Sequence, residues 1–135
     1  MTAVLRDVEL DAQVVLRGAP PMAPNTVLGE ALWLGPDEWL VLGGRESDFP
    51  DAQAAVDVSA ERVCLELTGP GAAQVLARGC SLDLHLAAFP PGRCAQTLVA
   101  RVEAIVWRTD AESFRLLVRP SFAGYLRAWL LDGMS

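Results

Sequence analysis

Residue types that carry chemistry are scarce in this sequence. It has one histidine, His85, and three widely spaced cysteines, Cys64, Cys80 and Cys94, with no C-x-x-C pair. A structural zinc site draws on closely paired ligands, because two from one turn fix half of the tetrahedron. Without such a pair, the one set the residues offer is His85 with Cys80 and Cys94. Ordinary small core residues account equally for the three thiols. The dinucleotide fingerprint G-x-G-x-x-G and the nucleophile elbow G-x-S-x-G are both missing. No apolar run approaches the roughly 20 residues that a membrane helix needs. The opening Met1-Thr2-Ala3-Val4-Leu5-Arg6-Asp7 lacks the basic start and long apolar stretch of a leader peptide. Positive charge is also short: 11 Lys plus Arg against 17 Asp plus Glu leave a net charge of −6, which repels a nucleic-acid backbone or an anionic membrane. The expectation is a cytoplasmic protein with no nucleic-acid and no membrane partner, and no metal site.

What the chain does have is apolar patterning. Apolar residues make up 52% and charged residues 21% of 135 positions, enough for one packed core and too few for two ordinary domains, so residues 1–135 read as a single module. Val63, Leu65 and Leu67 alternate with Arg62, Cys64 and Glu66, as in a half-buried strand. Pro70 then suits a first helical position, and Ala72, Val75 and Leu76 recur at helical spacing up to Gly79. Gly69-Pro70-Gly71 is therefore a helix start. As a phosphate cradle it lacks one donor, because of Pro70, and no Lys follows.

Leu32-Trp33-Leu34 and Trp39-Leu40-Val41-Leu42 flank Gly35-Pro36-Asp37-Glu38 and read as a hairpin. Leu5, Val8 and Leu10, then Val14 and Leu16, indicate N-terminal strands ahead of the Pro-rich linker 18–24. A long strand is expected over residues 96–108, with Leu98, Ala100, Val102, Ala104 and Val106 on one face. Its other face, with Val99, Arg101, Glu103, Ile105 and Trp107, is only half polar. A strand over 113–119 follows the turn 109–112. Ser121 then caps a closing helix whose Phe122, Tyr125, Leu126, Trp129 and Leu130 form an apolar stripe. The order strand, strand, helix, strand, strand, helix makes an α+β two-layer domain: a mostly antiparallel sheet, two helices on one face, and extra N-terminal strands.

Ser59, His85 and Asp83 spell a nucleophile, base and acid, yet nothing in the sequence brings them together. Asp57-Val58-Ser59 reads instead as a strand end whose polar side chains satisfy nearby backbone donors.

Leu34-Gly35-Pro36-Asp37-Glu38-Trp39, Val56-Asp57-Val58-Ser59, Gly69-Pro70-Gly71-Ala72-Ala73, Asp83-Leu84, Phe89-Pro90-Pro91-Gly92 with Gln96-Thr97, Trp107-Arg108 and Ser121-Phe122 together resemble the gamma subunit family of heterotetrameric sarcosine oxidase. The likeness runs from about Thr26 to the C-terminus. More distantly, the same order is similar to the folate-binding aminomethyltransferases. This chain is shorter than typical members at its N-terminus and after Leu42, and carries Ala60-Glu61-Arg62 where the family more often shows a histidine or a second basic residue.

The resemblance implies a ferredoxin-like arrangement and a noncatalytic subunit, in an assembly that oxidatively demethylates sarcosine to glycine. Its implied partners are the alpha, beta and delta subunits. FAD, FMN, NAD and tetrahydrofolate would belong to the parent complex, held mainly by the larger subunits, and none by this chain alone. A partner surface is expected at Val99, Ile105 and Trp107. The alternative is a stand-alone folate-binding or one-carbon carrier protein, with Asp83 or Glu103 gripping the pterin.

Overall fold

The computed structural model describes residues 2–134. Its strands are β1 (Val4–Val8), β2 (Gln13–Arg17), β3 (Val27–Leu28), β4 (Ala31–Gly35), β5 (Glu38–Leu42), β6 (Ala54–Asp57), β7 (Val63–Thr68), β8 (Cys94–Val99), β9 (Val102–Asp110) and β10 (Ser113–Val118). Two α-helices, α1 (Ala72–Ala77) and α2 (Pro120–Gly133), follow β7 and β10. The strands form two five-stranded antiparallel sheets, ordered β1-β7-β10-β9-β8 and β3-β4-β5-β2-β6. No helix among the described residues is long and apolar enough to cross a membrane.

The expected α+β class holds, with antiparallel pairing and both helices on one face of a sheet. The extra N-terminal strands do more than lengthen that sheet. β1 joins its edge, while β2 to β5 pair with β6 into a second sheet on the opposite face. Two cores result. Leu65, Leu67, Val106, Phe114 and Leu116 meet Val75, Leu76, Leu126 and Leu130 of the helices. On the far side of the same sheet, Cys94, Ile105, Trp107 and Leu117 meet Leu32, Leu34 and Leu40 of the second sheet. Burial on both faces explains why β9 shows only one exposed side chain, Glu103, between Val102 and Arg108.

The long strand expected over 96–108 is instead a tight hairpin. Ala100 and Arg101 form its two-residue turn, both at positive φ (51° and 69°), as a turn matching strand twist requires. The usual Asn-Gly signal is absent, so the turn is invisible in sequence. Ala100 is held by its surroundings: its N–H donates to the Gly79 carbonyl (2.9 Å) and its carbonyl accepts from the Tyr125 hydroxyl (3.3 Å). Gly79 is needed for this approach, since a Cβ there would lie 2.6 Å from the Trp129 ring. The reversal also shifts facing: Val99 joins Val102 in the helix-side core, while Leu98 turns to the opposite face.

Two further expectations shift. The N-cap of α2 is Arg119, not Ser121, because Pro120 takes the first helical position that its fixed φ suits. The buried stripe of α2 is Ala123, Leu126, Leu130 and Gly133. Small residues let the helix approach its neighbours, and this leaves Phe122 and Tyr125 about half exposed (48% and 50%). The Gly35 to Glu38 hairpin forms as expected, with Trp33 directly opposite Trp39.

Arg101 has no tertiary reason to occupy the left-handed region, which costs an L-residue about 1 kcal/mol. Arg101→Gly is expected to raise stability by roughly 0.5–1 kcal/mol, read as a higher urea midpoint.

Candidate functional site

The chain crosses from the second sheet to the first between Asp57 and Val63, and polar side chains hold that crossing. The Asp57 carboxylate accepts from both the backbone N–H and the hydroxyl of Ser59, and these bonds lower the Asp57 pKa. The Ser59 hydroxyl in turn accepts from the Gln13 N–H (3.1 Å). The fully buried Gln13 side chain donates to the carbonyls of Ser59 (3.0 Å) and Arg62 (2.8 Å). The strand-end reading of Asp57 and Ser59 is thus borne out. Gln13 was not foreseen, because nothing sets it apart from a polar residue opening an alternating strand.

Arg108 pins a second irregular stretch. It is 3% exposed and lies on the helix-side face of β9, beside the segment that joins α1 to β8. One guanidinium nitrogen donates to the carbonyls of Leu84 (2.7 Å) and Phe89 (2.9 Å), and the other to Ala111 (2.7 Å). The cation also sits 4.6 Å from the Phe114 ring centroid. A Lys ammonium would hold its donors at a single point, whereas the guanidinium spreads them over two nitrogens that reach carbonyls on separate segments.

A third polar arrangement runs across the first sheet, where the register aligns Arg6, Glu66, Arg115 and Trp107 in one row. Glu66 is 8% exposed and accepts from Arg6 (2.6 Å) and Arg115 (3.1 Å). Arg115 stacks 5.5 Å from the Trp107 ring centroid. Burial by itself would raise the Glu66 pKa; the two guanidiniums outweigh it and hold the carboxyl below its ordinary value.

The residues singled out from sequence are dispersed. Ser59 is engaged at the crossing, while the Asp83 carboxylate accepts from the His85 N–H (3.0 Å) and His85 Nδ1 accepts from Ala87 (3.1 Å). No hydrogen bond among the described residues joins these three into a triad. Cys64, Cys80 and Cys94 are buried separately, and burial pushes the Cys64 and Cys94 thiols up to about 11 and raises Cys80 as well. The Gly71 N–H donates to the Thr2 carbonyl (2.8 Å), so the helix start is occupied by the N-terminal segment.

The partner surface expected at Val99, Ile105 and Trp107 is corrected. These residues are 0%, 3% and 8% exposed, Val99 against the helices and the other two between the sheets. The half-polar pattern of β9 came from burial on two sides rather than from a surface.

One depression remains notable, with a volume of about 450 Å³ at the β8–β9 hairpin end. Leu98, Glu103, Arg119 and Arg62 line it, over a floor that includes Ile105 and Leu117. Glu103 therefore opens onto this depression, whereas Asp83 is not among its lining residues.

Together these features define a class: an α+β sandwich in which the most buried polar side chains, Gln13, Glu66 and Arg108, hold the protein's own strands and connections. Residues 22–135 match the sarcosine oxidase, gamma subunit family. The chain belongs to that family. The sarcosine oxidase subunit gamma of Corynebacterium sp. (strain U-96) is 35% identical over 161 residues, spanning 97% of this chain and 78% of that protein. The corresponding protein of Arthrobacter sp is 32% identical, spanning 98% and 80%. Because the 161-residue alignment is longer than the 135 residues here, the relative carries segments that this chain lacks. A chain of the heterotetrameric sarcosine oxidase from Corynebacterium sp. U-96, solved in complex with pyrrole 2-carboxylate, superposes with a TM-score of 0.86 at 32% identity, over 98% of this chain and 83% of that one.

Arg108→Met is expected to lower stability by about 3 kcal/mol, because buried carbonyls left without a donor cost about 1–3 kcal/mol each; the urea midpoint reads this. The Glu66 row contributes stability above the ordinary glutamate value of 4.5 and loses it as pH falls through the lower folded-state value. Stability measured from pH 7 down to pH 3 should therefore fall less steeply in Glu66→Gln than in the parent protein.

Proposed function

We propose that this chain is the noncatalytic gamma subunit of a heterotetrameric sarcosine oxidase, acting in the cytoplasm within an assembly that oxidatively demethylates sarcosine to glycine. In this reading residues 1–135 form one module that buttresses the alpha, beta and delta subunits. FAD, FMN, NAD and tetrahydrofolate belong to the parent complex and are held mainly by its larger subunits. The observation that carries the reading is the superposition of 98% of the chain on one chain of such a heterotetramer. Its own residues fit a dinucleotide poorly: the glycine-bearing helix start is closed by Thr2 and followed by a helix of only six residues. The role of the chain is then to present a rigid surface, and its buried polar side chains supply that rigidity.

The alternative of a stand-alone folate carrier rests on Glu103 alone, because the Asp83 carboxylate is engaged in its own turn. Co-expression with the remaining oxidase subunits is expected to yield a flavin-containing complex retaining this chain, and the isolated chain is expected not to bind tetrahydrofolate. A chain that stays monodisperse, joins no complex and titrates with tetrahydrofolate would reverse the choice.

A further inference from the structure

The depression beside the β8–β9 hairpin has an ordered chemical lining. Cross-strand register places Leu98 opposite Glu103. The pairs Val118↔Ala104 and Val118↔Val63 set Arg119 one step further, between Glu103 and Arg62. Across the sheet the sequence of side chains is apolar, anionic, cationic, cationic. It spans three inter-strand spacings, about 14 Å. Leu98 is 52% exposed and supplies the apolar end of the row.

The charges in this row are incompletely paired within the chain. Arg62 Nη1 is buried without a hydrogen-bond partner among the described residues. Glu61 and Glu38 attract this cation only through space and Arg119 repels it. Arg119 itself meets Glu61 at a long 3.4 Å, and Glu103 has no ion-pair partner among the described residues. Arg62 and Arg119 both line this part of the depression, and two neighbouring cations attract an incoming carboxylate.

The neighbouring edge points the same way. β8 closes the first sheet and carries no charged residue from Cys94 to Val99, whereas β1 at the other edge carries Arg6 and Asp7. An edge strand without charged residues is open to pairing with another chain wherever its own chain does not cover it. β8 is bridged only at its ends, through Arg93 to Thr26 and Val99 to Cys80.

We infer that this depression receives an extended segment of another oxidase subunit, about four residues long, with an apolar side chain over Leu98, a hydrogen-bond donor or cation at Glu103, and a carboxylate at Arg62 and Arg119. This rests on the subunit reading and gives it a location. The order of lining groups selects the occupant: neither a purely apolar helix nor a polyanion satisfies Leu98, Glu103 and Arg62 together.

The test is to co-express the chain with the remaining subunits and measure retention and affinity for the parent chain, Leu98→Glu, Glu103→Arg and Arg62→Met. Leu98 and Glu103 are exposed, so their variants keep the fold, which circular dichroism and thermal melting of each chain verify. The expected result is that each variant associates at least about tenfold more weakly. Folded variants that assemble like the parent chain overturn the proposed location and leave the subunit reading standing. A parent chain that joins no complex overturns both. Tetrahydrofolate binding to the isolated chain that Glu103→Arg abolishes assigns the depression to a small ligand and also overturns the inference.

Discussion

Burial of one sheet on both faces is the constraint from which the rest follows. β9 and β10 must satisfy the helices on one side and the second sheet on the other, so nearly every residue between Val102 and Arg108 is inside. A layer closed on both sides cannot hydrate the polar groups of the segments that enter and leave it. Each such crossing therefore needs an internal donor or acceptor. Gln13 supplies it where the chain passes between sheets, and Arg108 supplies it where the connection from α1 returns to β8.

This accounts for the buried polar side chains Gln13, Glu66 and Arg108, each of which bonds the protein's own strands and connections. A carboxylate held by two guanidiniums, or a guanidinium held by three carbonyls, is locked in one protonation state and one geometry. Such groups are fixed in place, which makes the strands and connections they hold rigid. All eleven basic residues are arginine, and several use the planar fork in this way. Arg62, whose Nη1 has no hydrogen-bond partner among the described residues, lies at the rim of the surface depression, whereas the Nε of Arg108, likewise unpartnered, belongs to a side chain inside the core.

Legibility followed the range of the determining forces. The strand over Val63 to Thr68, the Gly-Pro-Gly helix start, the Trp-bearing hairpin and the final helix all announce themselves through local periodicity or turn chemistry. The Ala100-Arg101 turn did not, because the bonds that hold Ala100 at positive φ come from Gly79 and Tyr125, which are distant in sequence. The partner surface was misplaced for a related reason. A half-polar face looks the same in sequence whether a partner or another layer of the same chain covers Ile105 and Trp107. Of the depression, Glu103 had been noticed, whereas its grouping with Leu98, Arg119 and Arg62 arises from strand register.

By itself, the amino-acid order determined the class of fold, most of its elements, the absence of the common cofactor and nucleophile motifs, and the resemblance that pointed to the family. Periodicity, turn residues and short motifs act within a few positions and are complete in the sequence. Tertiary structure alone decided that the N-terminal strands build a second sheet, that Arg108 and Gln13 are the pins, and which charged groups remain available at the surface. Those outcomes depend on register between strands remote in the chain, where a shift of one residue sends a side chain to the opposite face.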